Sequence, residues 1–113
     1  MGMFNSVMDP ECRRCPRCGA SEQRWVQFKY GALTLARYRV GEAISWDGAF
    51  VEGEAGHGRV GVEGLGQPCP KCKYDDDLVY DIVIEGDVIR SVALSGGVID
   101  YLAQGRPYWV VLS

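Results

Sequence analysis

Apolar and polar residues alternate with the two-residue period of a β-strand in several stretches of the chain. From Arg24 to Tyr30, Val26, Phe28 and Tyr30 share one face while Trp25, Gln27 and Lys29 share the other. Gly31-Ala32 suits a turn and Leu33 to Val40 alternates again, which predicts a hairpin of these two strands. Ala43 to Trp46 reads as a further short strand, closed by the turn dipeptide Asp47-Gly48. The clearest pattern comes later, where Leu78, Tyr80, Ile82 and Ile84 alternate with Val79, Asp81 and Val83. Glu85-Gly86-Asp87 then turns the chain into Val88 to Leu94, predicting a second hairpin. Ser95-Gly96-Gly97 ends it, Val98 to Leu102 has no decisive period, and Tyr108 to Leu112 reads as a last strand after Pro107.

No segment sustains the 3.6-residue apolar period of a capped helix, so the expected fold class is mainly β. The strands are expected as antiparallel hairpins forming one small sheet or barrel-like domain over residues 12–113. Residues 1–11 lack periodicity and are expected as a flexible leader, with Phe4, Val7 and Met8 able to dock. Between residues 52 and 66 six glycines occur, too many for a helix and weak for a regular strand. This stretch is expected as a flexible loop in which only Arg59 to Val62 pairs. Its glycine spacing fits neither a dinucleotide fingerprint nor a phosphate loop.

At 47% hydrophobic and 24% charged residues over 113 positions, the chain is too apolar for disorder and large enough for one core. No apolar run approaches the length of a membrane span, and the N-terminus lacks the pattern of an export signal, so a cytoplasmic protein with no membrane partner is expected. Met1-Gly2 with Ser6 is only a loose match to a myristoylation template. The formal net charge of -3 disfavours a protein that neutralises many phosphates. Charge is unevenly spread, however, with seven basic and three acidic side chains in residues 1–41 against five and twelve in residues 42–113.

The cysteines change the picture. Cys15-Pro16-Arg17-Cys18-Gly19 and Cys69-Pro70-Lys71-Cys72 repeat one local design. Amides in a Cys-x-x-Cys turn point at the sulfurs and offset their charge, proline stiffens the turn, and glycine after the second cysteine tolerates a left-handed backbone. In a chain without an export signal such pairs favour metal over disulfides. Two pairs supply the tetrahedral four-sulfur shell that suits one structural Zn²⁺ per chain. Cys12 is the alternative ligand, one Cys-x-x-Cys step before Cys15, but it lacks the proline and glycine of the following pair. It otherwise reads as a surface thiol beside Arg13 and Arg14, or as one able to exchange onto the metal.

With these knuckles the chain resembles the zinc-ribbon or rubredoxin-like group, over residues 15–19 and 69–73, with Lys73 departing from glycine in the second knuckle. The resemblance extends to short bacterial proteins of this layout and implies a fold nucleus rather than an activity. Fifty residues lie between Cys18 and Cys69, so strands must be inserted between the knuckles.

Four cysteines close the metal's coordination, leaving no position for a reactive water, and the centre is therefore read as structural. Arg13, Arg14, Arg17, Lys71 and Lys73 have a reason to be there, since four thiolates around a dication carry a charge of about -2. His57 lies among glycines with no nucleophile or orienting acid in its pattern, and Asp75-Asp76-Asp77 lacks the ligand spacing of a calcium loop and reads as a solvated acidic turn. No enzymatic activity is expected. The leading expectation is a non-catalytic binding module for an unidentified protein partner or for self-association. Its candidate anchors are Trp25, Tyr30, Tyr38, Trp46, Tyr101, Tyr108 and Trp109. The alternatives are a nucleic-acid-binding zinc ribbon using Arg24, Lys29, Arg37 and Arg39, a small acidic immunity-type protein that neutralises a basic partner, and an iron or thiol redox protein.

Overall fold

The longest strand, β1 (Asn5–Arg14), occupies most of the segment expected as a flexible leader. In the computed structural model, which describes residues 3–105 and 108–112, Asn5, Val7 and Asp9 of this strand are fully buried. Alternation is present in β1, but polar side chains fill two of its inward positions, which conceals it in a hydrophobic pattern. Met1, Gly2 and Pro107 lie outside the described residues.

β1 pairs antiparallel with β2 (Ser21–Phe28), and β6 (Arg59–Gly66) pairs antiparallel with β7 (Val79–Glu85). β7 forms the expected hairpin with β8 (Val88–Leu94), and the closing strand β9 (Trp109–Val111) pairs with β6. The result is all-β, a curled half-barrel sheet with a small second sheet of β3 (Gly31–Ala32) and β5 (Val51–Glu52). Among the described residues no helix is long and apolar enough to cross a membrane. The inward alternates Val26, Phe28, Val60, Val62, Ile82 and Ile84 form the core with Tyr30 and Trp109. Of the other aromatic residues, Tyr38 and Tyr101 are buried, Trp25 and Trp46 half-buried, and Tyr108 exposed.

Leu33 to Val40 does not make the expected hairpin with β2. Only β4 (Arg37–Tyr38) is a strand, and it pairs parallel with β1. Leu35 takes a left-handed backbone (φ 59°), which breaks the extension. Asn5 supplies the missing partners: its Nδ2 donates to the carbonyls of Tyr30 and Ala32 at 3.2 and 3.0 Å, and its Oδ1 accepts from the amides of Thr34 and Ala36, each at 3.2 Å. One buried amide thus satisfies four backbone groups of the crossover. Gly31-Ala32, expected as a turn, is β3, and Ala43 to Trp46 contributes an isolated bridge from Ala43 to Val88 rather than a strand. Residues 98–100 have no regular structure and lead into a turn over residues 101–104, in which the Tyr101 hydroxyl lies 2.6 Å from Asp81 Oδ1.

The glycine-rich stretch, expected as a loop, contains the most connected strand of the sheet, because β6 pairs with β2, β7 and β9. Glycine is required there by space. A Cβ at Gly64 would lie 2.5 Å from Val26 Cγ1 and 3.0 Å from Ile82 Cδ1, and one at Gly66 would lie 2.9 Å from the Tyr80 ring. The absent side chains let neighbouring strands close over β6. Gly64→Ala is therefore expected to cost about 1–3 kcal/mol in urea unfolding through overpacking. Gly96→Ala, at a position with nothing nearer than Val98 Cγ2 at 3.9 Å, should stay within about 0.5 kcal/mol of the parent.

Candidate metal centre

Each cysteine pair sits at the tip of a hairpin. The first knuckle joins β1 to β2, the second lies between β6 and β7, and β2 is hydrogen-bonded to β6 at Val26 with Gly66 and Gln27 with Leu65. The Gln67 amide continues this seam by donating to the Trp25 carbonyl at 2.9 Å. Pairing of two strands distant in sequence thereby brings the two tips together across the fifty intervening residues.

The knuckles share one geometry. The Gly19 amide donates to the Cys15 carbonyl and the Lys73 amide to the Cys69 carbonyl, both at 2.9 Å, and the Cys15 and Cys69 amides donate to Ala20 and Tyr74, again at 2.9 Å. Gly19 and Lys73 both adopt positive φ, 75° and 65°. Lys73 therefore holds the left-handed position with a side chain that disfavours it.

Sγ atoms of Cys15, Cys18, Cys69 and Cys72 all lie within 4.8 Å of one another, a group that could hold a metal ion. The closest approaches cross between knuckles, Cys15 to Cys72 at 3.6 Å and Cys18 to Cys69 at 3.7 Å. In each knuckle the first cysteine is buried and the second exposed. Cys12 is exposed on β1 opposite Gln23 and is not a member of the group.

Electrostatics favour a cation. Amides of Cys18 and Arg17 lower the Cys15 thiol to about 6 against the opposing effect of burial. Cys69 is likewise lowered, by the amides of Cys72 and Lys71. At Cys18 the Ala20 amide acts downward, yet burial and the thiols of Cys72, Cys69 and Cys15 together push it up to about 11. The amides thus favour the thiolate at Cys15 and Cys69, while burial and the crowding of like charge disfavour it at Cys18. A divalent ion removes that conflict by drawing all four to the thiolate form.

A buried arginine supports the centre from behind. Arg24, assigned from the sequence to an exposed basic face, is 1% exposed and makes a two-point ion pair with Asp76, Nη1 to Oδ1 at 2.8 Å and Nη2 to Oδ2 at 3.1 Å. Its Nη1 also donates to the Gln67 carbonyl at 3.1 Å, and the charge of Cys69 is felt at the guanidinium. Among the described residues its Nε has no partner. Arg24 thus ties β2 to both ends of the second knuckle, and Asp76 is a structural carboxylate instead of part of a solvated turn. Neither role was visible in the sequence, where Arg24 only occupied the inward phase of the β2 alternation.

The flanking basic residues are held individually. Arg13 Nε reaches the buried Asp9 carboxylate at 2.7 Å, Arg17 lies 5.7 Å over the Tyr74 ring, Lys71 pairs with Glu22 at 3.6 Å, and Lys73 Nζ donates to Pro70 at 3.3 Å. The Arg14 guanidinium lies beside Gly19. Arg17 with Tyr74 and Lys71 with Glu22 bridge between the two hairpins at the surface. His57 is remote in role, its Nε2 lying 3.2 Å from Glu54 and its ring 5.9 Å from Trp109.

No family model matches the chain, nor does any curated protein or solved structure.

Arg24 depresses the Asp76 carboxyl below its ordinary range by hydrogen bonding and charge. The stability this contributes is present above the unfolded value of about 3.9 and is lost as pH falls through the lower folded value. Asp76→Asn should therefore destabilise the fold by about 3 kcal/mol, by leaving a buried guanidinium unpaired, and by the same amount at pH 6 as at pH 8. Urea unfolding at the two pH values measures this.

Proposed function

We propose that the chain is a non-catalytic binding module whose four-cysteine centre holds one structural Zn²⁺. The observation that carries the reading is the closeness of four sulfurs drawn from two hairpin tips. A Zn–S bond of about 2.3 Å implies sulfurs about 3.8 Å apart at tetrahedral angles. The two cross-knuckle separations of 3.6 and 3.7 Å fit that edge. Four thiolates leave no open position for water or substrate, which supports a structural metal over a catalytic one. Zinc is preferred over iron because joining two hairpins requires no change of oxidation state, and the resemblance to rubredoxin-like proteins is confined to the knuckles. In this reading the module is a zinc-ribbon-like nucleus with hairpins inserted and appended, and its partner is met by the sheet.

Native mass spectrometry of protein purified without added metal is expected to show one zinc per chain, and Cys69→Ser should lose it. Iron, or a metal-free chain carrying disulfides, would make redox chemistry the better reading. Because all four thiols must release protons to the metal, zinc retention against a fixed chelator concentration should fall as pH is lowered from 8 to 6. Retention independent of pH would contradict thiolate ligation.

A further inference from the structure

The outward alternates of β2 near its end are Trp25 and Gln27, opposite the buried Val26 and Phe28, and Lys29 follows directly after the strand. Arg37 and Arg39 lie over the Trp25 ring, their Cζ atoms 5.1 and 5.9 Å from its centroid, and Lys29 Nζ lies 5.3 Å from the centroid of Tyr108. Two cavities of about 350 and 370 Å³ meet on this face, sharing Phe4 and Gln27. The first runs toward Lys29 and Tyr108 and the second toward Trp25 and Arg37, with the half-buried Gln27 and Gln67 among the lining residues. They form a groove across β1, β2 and β6 with π-faces at both ends and uncharged hydrogen-bonding groups along the floor.

Cations without a carboxylate partner gather at two places, the knuckles and this face. Arg13, Arg24, Arg59, Lys71 and Arg90 are each paired with a carboxylate. Among the described residues Lys29, Arg37 and Arg39 form no ion pair, and neither do Arg14, Arg17 and Lys73 beside the cysteines. Glu63 lines the first cavity, and Asp75 and Asp77 line a neighbouring one beyond Gln27 and Gln67. Apart from those beside the cysteines, the basic side chains without an ion pair therefore lie on the side of the groove away from the second knuckle, with the Glu42 carboxylate accepting from the Arg39 amide at 2.7 Å, although the chain as a whole is acidic. A protein partner of matching chemistry would need acidic groups alone. Here the cations stand against the half-buried Trp25 and the exposed Tyr108, with amides between them, which adds recognition of flat heterocycles to recognition of anions.

We propose that this groove binds single-stranded nucleic acid, with Trp25 and Tyr108 stacking bases and Lys29, Arg37 and Arg39 neutralising phosphates. The proposal gives the binding module of the preceding section its partner and rests on that reading for the rigidity of β2. Three phosphate contacts on a single strand predict a fall in log affinity of about 2 per tenfold rise in salt. A duplex presents neither free base faces nor a backbone able to follow so short a groove.

Fluorescence anisotropy with a labelled 15-nucleotide oligothymidylate, titrated with the zinc-loaded chain from 50 to 200 mM salt, tests this. Binding with that salt slope is expected, weakened about tenfold by Trp25→Leu and at least tenfold by the pair Arg37→Ala and Arg39→Ala. Arg90→Ala, on the exposed face of β8, should leave affinity unchanged. Absence of binding at 50 mM salt, a duplex bound as tightly, polyglutamate competing as well as the oligonucleotide, or equal weakening by Arg90→Ala would each overturn the proposal. Zinc content of every variant is read in parallel. Retained zinc with no binding defeats the nucleic-acid surface alone, whereas binding by a chain that never held zinc defeats the structural-metal reading alone.

Discussion

The fold depends on a narrow seam. β2 and β6 are registered at two residue pairs only, yet this is where the hairpin of β1 and β2 joins the sheet of β6, β7, β8 and β9. Two residue pairs make a weak joint, since each net hydrogen bond contributes only about 1 kcal/mol. The seam is held at one end by the four sulfurs, along its inner face by Arg24 with Asp76 and Gln67, and in the core by Val26 against the bare backbone of Gly64. Closing so long a loop between ligands is where a metal gains most, because the unfolded chain loses the most freedom by it. The four sulfurs with the metal proposed for them, the buried ion pair and the missing side chains meet at one junction, and the outward face of that same junction carries the proposed groove.

Polar residues inside the sheet do the work of directing the chain. Asn5 satisfies the four backbone groups of the crossover, and Asp9 collects the Glu11 amide, the Arg13 guanidinium and the Tyr80 hydroxyl at 2.9, 2.7 and 2.8 Å. An apolar residue at either place would leave several buried donors or acceptors without partners, at a cost of about 1–3 kcal/mol each. They fix where β1 lies, and through β1 the first knuckle.

The sequence was legible where a residue's type matched its environment. The hairpin of β7 and β8 alternates cleanly and was readable to within a residue, and Cys-Pro-x-Cys announces its turn by composition alone. It was illegible where function and environment diverge. β1 hides its period behind buried Asn5 and Asp9, and β6 looks like a loop because its glycines answer to the neighbours Val26, Ile82 and Tyr80, which no local window contains. Arg24 was read as surface because nothing near it in sequence announces Asp76, which meets it only after β2 and β6 pair. Leu33 to Val40 misled in the opposite sense, since its alternation is real but its backbone partners are taken by the Asn5 side chain.

On the proposed reading, metal at the hairpin tips holds this seam closed. Amide hydrogen exchange, compared between the zinc-loaded chain and the same chain after chelation, tests it most directly. Protection at Val26, Gln27, Leu65 and Gly66 should collapse on chelation, together with that of both knuckle-bearing hairpins. Protection that survives chelation unchanged at these residues would contradict the claim, leaving the core and the Arg24 ion pair sufficient to close the seam.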